Sequence, residues 1–301
     1  MKKEELSTNS IIKHLRTLEE EDKLYELESQ NYATDILVNQ KKSLIIHLAH
    51  SIFKKESSKH TICESLHTIK LFFILDPKIT NLRLNQVIKK EDFANKLFLL
   101  ILTLSKEDLG EYEDIFFLVN QIFSNINIDY INVKTINKLF DALDIINDEN
   151  NFTSLFYILM NINNLKQEEF LSVRNEHENY RLIDKYAIKE LNKTRDDNNI
   201  LKILFYIYVI VSDKNKYNLY RNDFEILIDE LLYLIDAVED KDVQIFIIHI
   251  IVESISNEFY NKNIYKIDEI KNLFNNIIDS DESDNFKDLC KKGIDIISKN
   301  N

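Results

Sequence analysis

Only 2 glycines and 1 proline occur in a chain of 301 residues. Tight β-turns, β-hairpins and phosphate-cradling loops need residues that adopt positive φ or a preset bend, and glycine and proline supply most of these. A chain this poor in both disfavours turn-rich β architectures. It is compatible with long helices joined by short polar connectors, and the fold class read from it is all-α. The same scarcity argues against a Walker loop, GxGxxG or GxSxG, and none of these motifs is present.

The apolar residues repeat at helical spacing nearly throughout. Residues 1–10 are polar and read as a disordered N-terminus. Ile11 to Leu27 then read as a charged helix whose acidic run Glu19–Asp22 is a solvated face. Tyr32 to Lys55 read as one longer helix. The next helix, with Ile62, Leu66, Ile69, Phe72 and Phe73, is stopped at Asp76-Pro77, because proline disfavours helix in the residue before it. Further stripes start at Phe93, Ile115, Ile136 and Phe152. Gly110 reads as a left-handed helix stop. Ile200–Val211 and Val243–Ile255 are apolar almost all round, which places them in an interior.

Helix, short polar turn and helix recur without a literal repeat. This is the pattern of degenerate armadillo or HEAT arrays, with ~40–47 residues per unit. Residues 11–301 therefore read as a single curved armadillo/HEAT-like solenoid domain.

The net charge of −13 repels nucleic acid and anionic membrane on average, while leaving room for a local basic face. The longest apolar runs fall far short of the ~18 residues of a membrane span. The two cysteines, Cys63 and Cys290, are far apart, and the start lacks the apolar run of a secretion signal, so a cytoplasmic location is expected.

Two groups of side chains carry metal-type spacing: His47 with His50, and His60 with Cys63 and His67. A metal-dependent enzyme would use them, but the stretch has one thiol and no His-Glu-x-x-His motif. Surface and packing roles are the simpler reading. Cys63 lies near an apolar face as an inert thiol, and His249 reads as a buried, hydrogen-bonded histidine. Pairs such as Asp229 and Asp236 carry no signal among 51 acidic residues. No enzyme activity, cofactor or metal is expected.

The most patterned stretch is Tyr217 to Asp236. Asn222 reads as a helix N-cap, Glu225 as its capping-box partner, Asp223 as a dipole-compensating acid and Tyr220 as the staple before them. Phe224, Leu227, Ile228, Leu231, Leu232 and Ile235 form one stripe. The order of residues from Leu219 to Asp229, LYRNDFEILID, also resembles the F-Y-T-N-D-aliphatic-x-V-L-I-D core of one family. That family is the leucine-rich, armadillo-like domain of WISH/DIP/SPIN-type activators of the actin-related protein 2/3 complex. Leu191 to Asp197, followed by Leu201 to Phe205, is similar to its L-N-R-x-x-D turn and the helix after it. Tyr265 to Ile270 is similar to its Y-K-R-x-E-I segment. The resemblance spans residues 185–275.

It implies a binding protein that activates the complex to nucleate linear, unbranched filaments without a preformed filament, at cortical and endocytic actin patches. The partner-binding residues expected on this basis are Tyr220, Arg221, Asn222, Asp223, Tyr265 and Lys266. Two departures stand out: Arg221 replaces the threonine before Asn-Asp, and Leu232 to Ile235 replaces the usual helix end. With no SH3 domain or proline-rich tail in the sequence, the chain reads as the bare activating domain. The rival expectation is an armadillo/HEAT adaptor for another cytosolic assembly.

Overall fold

A computed structural model describes residues 7–26, 29–33, 36, 44–213, 219–258, 260, 264–280 and 282–300. Among these residues the regular structure is entirely helical. The chain divides into two compact units, residues 1–159 and 160–301.

The first unit contains α1 (Thr8–Glu20), α2 (Leu44–Phe53), α3 (Lys59–Leu75), α4 (Pro77–Glu91), α5 (Phe93–Thr103), α6 (Lys106–Glu111), α7 (Asp114–Gln121) and α8 (Val133–Asp141). The division falls within α9 (Glu149–Leu165). Helix α3 is central: it packs on α1, α2, α4 and α7, while α5 packs on α4, α7 and α8. Leu66, Ile69 and Phe72 of α3, Phe98 of α5 and Phe116 of α7 have no exposed surface. Each contributes roughly 1.5–3 kcal/mol by leaving water.

The second unit contains α10 (Gln167–Glu176), α11 (Tyr180–Lys193), α12 (Asp197–Ser212), α13 (Arg221–Ala237), α14 (Lys241–Ser256), α15 (Ile267–Asp279) and α16 (Asp284–Asn300). Alternate helices meet here: α11 packs on α13, α12 on α14 and α14 on α16. Sequential pairs α11–α12, α13–α14 and α15–α16 pack as well. Helix α14 is buried over most of its circumference, as its all-round apolar sequence requires. Beyond its exposed first two residues, the exception is His249, which is exposed rather than buried because this polar position turns to solvent.

The chain stops its helices without glycine. Ser7, Ser58, Asp76, Ser105, Asn132, Asp196 and Asp240 accept hydrogen bonds from first-turn N–H groups. Asp76 serves twice, closing α3 and opening α4, where Pro77 takes the first position and needs no N–H donor. The left-handed turns fall to Asp22, Asp92 and Lys266, and neither glycine has positive φ. Gly110 lies inside α6 rather than beyond a helix end, and a Cβ there would meet Ile145 Cγ2 at 3.0 Å. Gly293 leaves space for the Phe274 ring. Both glycines thus sit within helices where another side chain comes close, rather than at turns.

Other boundaries differ from the sequence reading. Helix α1 begins at Thr8, inside the stretch read as disordered, and ends at Glu20, because Asp22 turns left-handed. Of the helix read over Tyr32 to Lys55, residues 34, 35 and 37–43 lie outside the described residues, and Leu44–Phe53 is helical.

Candidate functional site

The residues singled out by the sequence cluster at α13 and at the start of α15. Helix α13 begins two residues earlier than the capping pattern suggests. Tyr220 occupies the N-cap position in extended backbone and makes no side-chain cap bond. Asn222 is therefore inside the first turn and exposed, and Asp223 is half-buried. The expected Asn222–Glu225 capping box is not formed, since Glu225 instead accepts from Arg221 Nε at 2.9 Å. The cause is tertiary. Leu219 is buried and its N–H donates to the Tyr260 hydroxyl at 3.0 Å, while Phe224 stacks on the same ring at 4.3 Å. Tyr260 clamps both sides of the helix start and decides where it lies.

Tyr220 is 51% exposed, and its ring carries the Arg181 guanidinium at 4.1 Å, a cation–π contact between the start of α13 and α11. On α13 itself, Asn222, Ile226, Asp229 and Tyr233 follow one another at helical spacing along the outward side. Ile226 is 50% and Tyr233 56% exposed.

The second motif segment is fastened to this side. Lys266 Nζ meets Asp229 Oδ1 at 3.1 Å and Glu269 Oε2 at 3.1 Å, and the Tyr265 hydroxyl donates to Asp229 Oδ2 at 3.4 Å. The bonds to Asp229 and Glu269 hold the Lys266 ammonium above its ordinary pKa, and local desolvation raises that of Tyr265. Partial burial and the neighbouring Asp229 raise the Glu230 carboxyl, opposed by Arg195. Tyr265 and Lys266 thus join the middle of α13, while Tyr220 to Asp223 form its beginning. All six lie on or beside one helix. Sequence reading missed Arg181, Ile226 and Tyr233; for the last two, breaks in the polar side of the α13 pattern were the available signal.

The histidine and cysteine groups of the first unit stand in two separate pockets. His60, Cys63 and His67 line a pocket of ≈390 Å³ together with Arg16, Glu19 and Asp114. There His67 Nδ1 meets Asp114 Oδ2 and His67 Nε2 meets Glu19 Oε2, both at 2.8 Å, so neither ring nitrogen is open to a metal. The Cys63 thiol donates to the Glu111 carbonyl at 3.4 Å, and burial raises its pKa away from the reactive thiolate. Cys63 is half-buried at this pocket rather than a core thiol. Glu19 belonged to the run read as a solvated face; it is instead bonded to a histidine 48 positions away. His47 and His50 line the other pocket. Among the described residues no group of three or more metal-type donors converges.

Fold and face together define the class, an all-helical protein with a partly apolar, partly charged face on α13. The chain matches no known protein-family model and no curated protein. Among the described residues no helix is long and apolar enough to cross a membrane.

Proposed function

We propose that this protein is a non-enzymatic activator of the actin-related protein 2/3 complex. In this reading it nucleates linear filaments without a preformed filament, acts in the cytoplasm at cortical actin patches, and needs no cofactor. The observation that carries the proposal is the joining of the two motif segments. Leu219 to Asp229 and Tyr265 to Ile270 were matched separately in sequence, and Asp229 ties them together through Lys266 and Tyr265.

The i-to-i+2 packing of α11 on α13, α12 on α14 and α14 on α16 supports an armadillo/HEAT-like array for this part of the chain. A stiff helical surface suits the task physically. Activation requires tighter binding to the active arrangement of the complex than to the inactive one, because equal affinity shifts no population.

A second reading, an adaptor for another cytosolic assembly, is favoured by Arg221 at the position where the family carries threonine. Pyrene-actin assembly with purified actin-related protein 2/3 complex and no other activator separates the two. Faster assembly into unbranched filaments is the expected result. No acceleration by folded protein, with the complex from the matching species, overturns the activator reading and leaves the adaptor.

A further inference from the structure

The second pocket of the first unit has a lining that the composition of the chain does not predict. Its volume is ≈460 Å³, and it is lined by His47, His50, Ser51, Phe53, Lys54, Phe93 and Lys96. In a chain with 51 acidic residues and a net charge of −13, no carboxylate lines it among the described residues. Two lysines and two histidines do. Phe53 and Phe93 meet edge to face at 5.5 Å and form its apolar floor.

His47, His50, Lys54 and Lys96 are all exposed at this pocket. His50 is in the last turn of α2 and Lys54 just follows it, so the negative end of that helix dipole favours both. Lys96 comes from the other side, at the start of α5, where the dipole is positive and a cation is disfavoured. It has no ion-pair partner among the described residues. Two described carboxylates nearby, Glu56 and Asp92, are engaged elsewhere or only loosely. Glu56 approaches Lys54 only to 3.7 Å from an exposed position, and Asp92 accepts from the Asn95 amide. Lys54 and Lys96 line the same pocket, and an anion between two such ammonium groups offsets their mutual repulsion.

We infer that this pocket is a binding site for a phosphate-bearing ligand. Lys54 and Lys96 supply point charges, the kind of donor by which lysine binds phosphate. His47 adds a ring N–H donor, His50 lines the same wall, and the Phe53–Phe93 floor accommodates the organic part. A pocket of this volume suits a small organic phosphate or a phosphorylated lipid headgroup. The acidic remainder of the chain repels anions at long range, so binding depends on these local contacts.

The test follows the ring proton signals of His47 and His50 by NMR while pyrophosphate is titrated into the full chain at constant ionic strength. The expected result is a saturable shift of both rings. In Lys54→Ala/Lys96→Ala the affinity should fall at least tenfold, about 1.4 kcal/mol, because both charge-assisted contacts are removed. Lys54→Arg/Lys96→Arg, which keeps the charge, should retain most of it. Absence of saturation, or equal affinity in the alanine variant, overturns the site. Co-sedimentation with phosphatidylcholine vesicles, with and without 5% phosphatidylinositol bisphosphate, then distinguishes the source. Pelleting that needs the phosphorylated lipid and both lysines supports a headgroup. Pyrophosphate binding without pelleting supports a soluble phosphate.

Discussion

Lys266 reaches Asp229 at 3.1 Å from a left-handed backbone, φ 51°, that residues other than glycine, asparagine and aspartate seldom adopt. The ion pair and the unusual turn occur in the same residue, immediately before α15. Neighbouring Tyr265 bonds the same carboxylate. The connection between α13 and α15 is therefore made by side chains at a turn that is itself conformationally costly.

Glycine at position 266 loses the ion pairs and removes the backbone cost, whereas alanine loses the pairs and keeps it. Lys266→Gly should therefore unfold at higher urea than Lys266→Ala. Equal midpoints would mean that the left-handed turn relaxes freely in the alanine variant.

The α13 face makes a separable prediction about binding. Tyr220→Ala, Arg221→Ala and Tyr233→Ala alter exposed side chains and should leave helix content by circular dichroism unchanged. If the face meets the actin-related protein 2/3 complex, at least one of them weakens binding by roughly tenfold or more, as truncation of a buried aromatic or arginine anchor does. Unchanged affinity in all three places the interface elsewhere.

Arg174 is 1% exposed and pairs with buried Asp184 at 2.7 Å, while its Nε donates to the Tyr206 hydroxyl at 3.0 Å. The Tyr206 hydroxyl in turn donates to Asp184. Burial works to lower the guanidinium pKa, but Tyr206 and Asp184 outweigh it, and the arginine stays charged. Arg174→Ala or Asp184→Ala should each cost about 3–5 kcal/mol in denaturant unfolding, because each leaves a charge buried without its partner. The apolar double replacement Arg174→Met/Asp184→Leu should cost less than either single change.

His67 gives a pH dependence whose sign is fixed. Both of its ring nitrogens face carboxylate oxygens, which only accept when ionised, so the protonated ring satisfies both. The Asp114 hydrogen bond, working against burial and aided by Glu19, raises the His67 pKa in the folded state. Its stabilisation is thus complete below the unfolded value of about 6.5 and is lost as pH rises through the folded value. Asp114 has the opposite sense. Burial pushes its pKa up, but the His67 and Lys70 bonds together overcome this and leave it far below the usual range. Its stabilisation holds above the unfolded value of about 3.9 and is lost in acid. The gap in denaturation midpoint between wild type and His67→Asn should be larger at pH 6 than at pH 9. A gap that widens with pH would refute the bridge.

A methyl group at position 293 would fall 2.3 Å from Phe274 Cε2, in a fully buried ring. Gly293→Ala should therefore lower stability by about 1–3 kcal/mol, despite the better helix propensity of alanine. Gly110→Ala meets one side-chain methyl at 3.0 Å, and its propensity gain should leave stability nearly unchanged. Thermal unfolding of the two variants compares them directly.

The sequence by itself determined the helical class and most of the helices. Scarce glycine and proline removed the alternatives, and the stripes through Leu66 and Phe72, Leu97 and Ile101, or Leu227 and Leu231 are the buried faces observed. Asp76-Pro77 marked a true boundary, because proline's constraint on the preceding residue acts locally. Tertiary structure decided what depends on distant partners. Tyr260 fixed the start of α13 at Tyr220 and displaced the capping box that Asn222 and Glu225 spell out. Glu19 met His67 across 48 positions and Arg174 met Tyr206 across 32. Local pattern reports backbone preference and which face is apolar. The pairing of charges, and the gathering of Lys54 and Lys96 around one pocket, arise only when helices far apart in sequence pack together.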